Sequence, residues 1–70
     1  MFEAGRKIKI LLAEKGLTQV WLIDALREHE IYTDKAEMSG ILSGARRGPK
    51  ADTILGMSLN ILNGVYVGHQ

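Results

Sequence analysis

The residues whose type and spacing point to a chemistry are the cations just past the middle of the chain. Arg46, Arg47 and Lys50 fall within five residues, and no acid stands between Glu37 and Asp52. Guanidinium and ammonium groups grip phosphate oxygens, the guanidinium with two parallel hydrogen bonds. The segment before them, Thr33 to Gly44, carries Lys35, Ala36, Ser39 and Gly40, which are short or hydrogen-bonding side chains. A helix with such an outer face can approach another surface closely. Together they suit a polyanion with a groove.

Catalysis has little to build on. The histidines are His29 and His69, and no serine or carboxylate pair is spaced to act with either. His29 stands among glutamates as a solvated side chain with no metal set beside it. Gly44-x-x-x-Gly48-Pro49-Lys50 lacks the full phosphate-loop spacing and follows no strand. The chain has no cysteine, which excludes a disulfide framework and a thiolate metal site. The expectation is a protein that is not an enzyme, with no cofactor, no metal and no small-molecule substrate.

These residues must be positioned by a small fold. Seventy residues make one domain, 1–70, with 66–70 expected as a flexible or arm-like tail. A chain of this size buries only about 60% of its unfolded surface, so a partner subunit would help it. A hydrophobic fraction of 46% is normal for a globular chain and argues against disorder. Net charge is only +1, so the local cation cluster says more than the total. Elsewhere Glu3, Arg6, Lys7, Lys9, Glu14 and Lys15 interleave as on a solvated helix face. There is no apolar run of membrane length and no signal-peptide pattern at the start. The expected location is the cytoplasm, with no membrane partner.

Periodicity predicts helices throughout. Phe2 to Lys15 sets Ala4, Ile8, Leu11 and Leu12 on one face, with Gly5 a weak point and Gly16 a left-handed stop. Thr18 caps a second helix whose core stripe is Leu22, Ile23 and Leu26, with Leu17 packing forward onto Leu22. Trp21 lies off that stripe, covering the core edge or meeting a partner. Arg27 to Tyr32 extends this helix by a turn or forms a loop anchored by Ile31 and Tyr32. Thr33 or Asp34 caps a third helix, with Glu37 placed for a capping box and Met38, Ile41 and Leu42 inward. Ser43-Gly44 ends it, and Gly48-Pro49 forbids its continuation. In the fourth, Lys50 to Asn63, Ala51, Ile54, Ser58, Ile61 and Val65 trace one face and Leu55, Leu59, Leu62 and Tyr66 the next. Val65-Tyr66-Val67 reads as a short strand or an extended arm.

A helix, a connection and a second helix in this order suggest a helix-turn-helix with its second helix in the major groove of DNA. Lys35, Ala36, Glu37, Ser39 and Gly40 would then face the bases. Lys35 and Ser39 can bond base edges and Ala36 can touch a thymine methyl, while Glu37 either accepts from cytosine N4 or completes the cap. Phosphates would be held by Thr18 and Gln19 at a helix N-terminus, and by Ser43, Arg46, Arg47 and Lys50 on the other side.

At these residues the chain resembles the Cro and phage-repressor (XRE-like) family of helix-turn-helix regulators. GLTQVWLIDAL is similar to the opening of that family's scaffold helix, MSGILSGARRGPK to the end of its recognition helix and the basic turn, and IKILLAEKG to its first helix. The resemblance spans about Ile8 to Leu62. It implies an all-α, lambda-repressor-like bundle of four or five helices that reads a palindromic operator as a homodimer and regulates transcription in a phage or mobile element. It also implies that Gln19 touches phosphate and braces the third helix. One departure is the connection Arg27 to Thr33, longer than the usual turn of 3–4 residues. The wide apolar face of the fourth helix suggests Leu55, Leu59, Leu62 and Tyr66 as the dimer interface. The alternative function is a protein-interaction module, such as an antitoxin, anti-repressor or inhibitor, using Trp21 and the fourth helix.

Overall fold

Two helices of this chain end in the same backbone motif, and the endings set the direction of everything between them. At the first, Gly16 takes the left-handed conformation (φ 68°). Its N–H donates to the Ala13 carbonyl at 3.2 Å, and the Leu17 N–H donates to the Leu12 carbonyl at 2.8 Å. At the second, Glu30 takes the left-handed position (φ 62°). Its N–H donates to Arg27 at 2.9 Å, and that of Ile31 to Leu26 at 3.0 Å. Both are Schellman endings, which satisfy the last carbonyls of a helix and throw the chain back across it.

In the computed structural model, which describes residues 3–64, these motifs close the first two of four helices. They are α1 (Glu3–Lys15), α2 (Gln19–Glu28), α3 (Lys35–Ser43) and α4 (Pro49–Asn63). No strand occurs among the described residues, which form an all-α globule of four helices. The expectations for Val65-Tyr66-Val67 and for Tyr66 at an interface lie outside the described residues.

The N-termini are capped locally as their sequences suggest. Thr18 Oγ1 accepts from the Trp21 N–H at 3.1 Å, and Asp34 Oδ1 from the Glu37 N–H at 2.7 Å. Asp34, not Thr33, is therefore the cap of α3. Helix α4 starts at Gly48 without a side-chain cap and with Pro49 in its first turn, where the missing proline N–H costs nothing.

Each helix contributes one stripe to the core. Ile8 and Leu12 come from α1, Leu22 and Leu26 from α2, Met38, Ile41 and Leu42 from α3, and Ala51, Ile54 and Leu62 from α4. Burying a side chain of leucine size stabilises the fold by about 1.5–3 kcal/mol, so this cluster is the main favourable term. Trp21 and Ile23 pack partly buried against it, which places Trp21 at the core edge. Leu62 is completely buried and belongs to the core, contrary to its expected place on a dimer surface. The buried stripe of α4 runs Ala51, Ile54, Ser58, Leu62, whereas Ile61 and Leu59 flank it. Ser58 Oγ is buried with no hydrogen-bond partner, a cost of about 1–3 kcal/mol inside an apolar cluster.

Gly5 does more than weaken a turn. It is buried, and a Cβ placed on it would lie 2.1 Å from the carbonyl oxygen of Leu42. Helices α1 and α3 thus meet backbone to backbone at this point. Tyr32, expected to anchor the connection between α2 and α3, instead stands 64% exposed. The anchor is Ile31 alone, packed against the core.

Replacing Gly5 with alanine should lower stability by about 1–3 kcal/mol through overpacking, although helix propensity alone would favour alanine by roughly 1 kcal/mol. Urea unfolding followed by circular dichroism decides between them: a raised midpoint would mean the two backbones do not meet here. Glu30→Gly should act the other way, raising stability by about 0.5–1 kcal/mol, because left-handed strain is relieved at some cost in unfolded-chain entropy. An unchanged or lower midpoint for that variant would contradict the left-handed ending of α2.

Candidate nucleic-acid interface

The outer face of α3 follows from what its inner face must bury. With Met38, Ile41 and Leu42 inward, the 3.6-residue period leaves Lys35, Ala36, Ser39 and Ser43 outward, and all four are exposed. Apart from Lys35 at its start, this face carries only small side chains. Ser43 Oγ donates to the Gly40 carbonyl at 3.1 Å and accepts weakly from the Ala45 N–H at 3.4 Å. The hydroxyl expected to touch phosphate is thus engaged in closing its own helix, while remaining exposed.

Helix α2 reaches this face through a side-chain hydrogen bond. Ser39 Oγ donates to Gln19 Oε1 at 3.2 Å. Gln19 is the first residue of α2 and Ser39 the middle of α3, so the bond ties the start of one helix to the centre of the other. The bracing role expected of Gln19 is present, and Thr18 lies beside it as the cap.

The basic loop folds back onto α3 rather than hanging free of it. Gly44, at φ 87°, turns the chain, and the Arg46 N–H donates to the Gly40 carbonyl at 3.0 Å. The Arg46 stem then lies over Gly40: a Cβ there would meet Arg46 Cδ and Cγ at 3.0 Å. Gly40, expected to face bases, is instead the floor on which the Arg46 stem rests, and a Cβ there would push that stem outward by a few tenths of an ångström. Arg46 and Arg47 are both exposed and stand beside the C-terminal end of the α3 face.

Glu37 is an anion paired with a cation of this cluster. Its Oε1 accepts from Thr33 Oγ1 at 2.6 Å and pairs with Lys50 Nζ at 3.1 Å. The expected capping box is therefore half formed: Asp34 caps the Glu37 N–H, but the Glu37 side chain turns to Thr33 and Lys50. Tyr32, Thr33, Asp34, Ala36, Glu37, Arg46 and Lys50 line one shallow recess. Thr33 and Tyr32 are additions to the expected site residues, and for Thr33 the signal was its place four residues before Glu37, a spacing that pairs side chains across a turn.

The Thr33 hydroxyl bond, then the Lys50 ammonium and more distantly the charge of Arg46, hold the Glu37 carboxyl below its ordinary value, against a smaller opposing effect of desolvation. A carboxyl lowered in the folded state contributes stability that is complete above its unfolded value, about 4.3. That contribution fades as pH falls through the lower folded value.

Among the described residues, no three histidine, aspartate or glutamate side chains gather where they could hold a metal ion, and no helix is long and apolar enough to cross a membrane. Compared with known protein families, with curated proteins and with solved structures, the chain finds no match.

Glu37→Gln should flatten the acid side of the stability profile. Urea unfolding of both proteins at pH 6 and pH 3 should show wild type losing more of its stability between the two. Equal losses would show that Glu37 has no lowered carboxyl in the folded chain.

Proposed function

We propose that this chain is a sequence-specific binder of double-stranded DNA and a regulator of transcription, with α2 and α3 acting as a helix-turn-helix. The observation that carries the reading is the exposed face of α3, small-sided at Ala36, Ser39 and Ser43, running directly into Arg46 and Arg47. Such a face can enter the major groove, where Lys35 and Ser39 meet base edges and Ala36 a thymine methyl. Arg46 and Arg47 take phosphate at one end of the helix. The α2 N-terminus, with Thr18 and Gln19, takes phosphate at the other. Gln19 and Ser39 are already bonded, so a phosphate held at α2 fixes the register of α3.

The rival reading is a module that binds protein through Trp21 and the fourth helix, and its Trp21 half loses support from the packing of that ring, partly buried, against the core. An apolar groove between α1 and α4 supports a protein contact of a different kind. It is lined by Lys7, Ile10, Leu11, Leu59 and Asn63, and Ile10 is 49% exposed. In our reading this groove is a homodimer surface that sets two α3 helices about 34 Å apart on a palindromic site. Of the residues expected at that interface, Leu59 lies in the groove and Leu55 packs partly buried beside the core.

Replacing both Arg46 and Arg47 with glutamine should weaken binding to duplex DNA. It should also reduce the salt slope, log K against log salt concentration, by about 0.9 for each phosphate that the two arginines neutralise. Fluorescence anisotropy with a mixed-sequence duplex at several salt concentrations measures this, and unchanged binding would overturn the DNA reading. Ile10→Glu should convert a dimer to a monomer without unfolding it, because the side chain is half exposed. Sedimentation equilibrium showing a wild-type monomer at high concentration, with and without DNA, would remove the dimer from the proposal.

A further inference from the structure

A cluster built to hold phosphate need not contain a carboxylate, yet Glu37 sits inside this one. Its Oε1 holds Lys50 Nζ at 3.1 Å and accepts from Thr33 at 2.6 Å. The neighbouring recess is shared by Glu37, Arg46, Arg47 and Lys50. The carboxylate therefore stands where a phosphate oxygen would stand to reach Lys50. At the same time Glu37 lies on α3 next to Ala36, which is exposed, and its own side chain retains 23% exposure.

We infer that the Glu37–Lys50 pair is a specificity latch, in which Glu37 withholds Lys50 from phosphate until a cytosine at the facing position of the site draws Glu37 away. The inference rests on the DNA-binding reading. The chemistry is a partner exchange with no change in charge. On DNA of arbitrary sequence, Glu37 keeps Lys50, and Lys50 adds nothing to phosphate binding. Where the groove presents the amino group of cytosine N4, a donor for which a carboxylate is the fitting acceptor, Glu37 turns to it and the released ammonium takes the adjacent phosphate. One side chain thereby couples base recognition to backbone grip. A carboxylate facing a phosphate or a carbonyl-edged base is repelled, so wrong sequences forgo both interactions together.

The exchange is feasible because the Lys50 end of the pair is open: its side chain is 57% exposed, and solvent-exposed ion pairs are weak. Glu37 leaves its Thr33 hydrogen bond in the same movement. The backbone cap at Asp34 does not depend on the Glu37 side chain, since Asp34 Oδ1 bonds the Glu37 N–H. Helix α3 therefore keeps its N-terminus when the carboxylate moves.

The test is a double-mutant cycle on the full chain: wild type, Glu37→Gln, Lys50→Gln and the double variant, each confirmed folded by circular dichroism. The probes are a mixed-sequence 20-base-pair duplex and a duplex selected by wild type from a random pool. On mixed-sequence DNA, Lys50→Gln should leave the salt slope unchanged. Glu37→Gln should steepen it by about 0.9 and tighten binding roughly five- to tenfold near 0.1 M salt, the release of one further counterion. The double variant should return to the wild-type slope. On the selected duplex, Lys50→Gln should lower the slope by about 0.9, and Glu37→Gln should reduce discrimination between the two duplexes by tenfold or more. If Lys50→Gln lowers the slope equally on both duplexes, or Glu37→Gln changes neither slope nor discrimination, the latch is wrong while DNA binding stands. If wild type binds neither a random pool nor the mixed duplex, the DNA reading fails and the latch with it.

Discussion

The backbone contact between Gly5 and Leu42 is the constraint on which the remaining geometry depends. A Cβ at Gly5 would fall 2.1 Å from the Leu42 carbonyl, so α1 and α3 are closer than any other residue type would permit. Leu42 is the penultimate residue of α3, and the loop carrying Arg46 and Arg47 begins two residues later. Holding Leu42 against α1 therefore positions the exit of α3. It also directs the opposite side of α3 outward, where Ala36, Ser39 and Ser43 lie. The glycine's entropic cost in a helix, roughly 1 kcal/mol, is offset by the close packing it allows.

A second glycine repeats this logic at the surface. Gly40 leaves room for the Arg46 stem, and its carbonyl accepts both the Arg46 N–H and the Ser43 hydroxyl. The guanidinium is thus carried on a short, tethered arm rather than on a loose loop. Less side-chain entropy is left to lose when such an arm meets a phosphate, which matters because an arginine otherwise forfeits about 2 kcal/mol of rotamer freedom. On the same surface Glu37 offsets part of the positive charge. Electrostatic attraction to nucleic acid is long-ranged and blind to sequence. Under the DNA-binding proposal, a carboxylate among the cations would lower that background.

What the amino-acid order made legible was whatever is decided within a few residues. The Thr18 cap, the cap at Asp34 (one of two candidates), the left-handed Gly16 and the stop at Gly44 each depend on near neighbours, and all are present; Pro49, expected only to stop α3, is itself the first residue of α4. What was not legible depends on contacts distant in sequence or on small rotations. Gly5 looked like a defect because the atom it must avoid lies 37 positions away, on Leu42. Leu62 looked like a surface residue because α4 has two adjacent apolar stripes, and a rotation of a fraction of a turn exchanges them. The packing chose Ala51, Ile54, Ser58 and Leu62. Ser58 entered with that stripe and has no hydrogen-bond partner, which shows that shape and volume decided the rotation against polarity. Of the residues expected at the bases, Lys35, Ala36 and Ser39 are outward, Glu37 is paired and Gly40 is covered.

The long connection between α2 and α3 bears on whether these two helices can act together. Residues 29–34 separate them, and a longer link would ordinarily loosen their relative placement. Here it does not, for two reasons. The left-handed turn at Glu30 sends the chain sharply back, so that Ile31 enters the core immediately after α2 ends. The surplus is then taken up by Tyr32 and Thr33, of which Tyr32 points to solvent and Thr33 is tied to Glu37. Both ends of the link are fixed, and Gln19 and Ser39 join the two helices independently of it. The added residues change the outline of the surface beside α3, through Tyr32, more than they change the register of α3 on α2. The exposed Tyr32 ring lies in the same recess as Arg46 and Lys50, so the added residues give that surface an aromatic edge that a connection of three or four residues would have no room to supply.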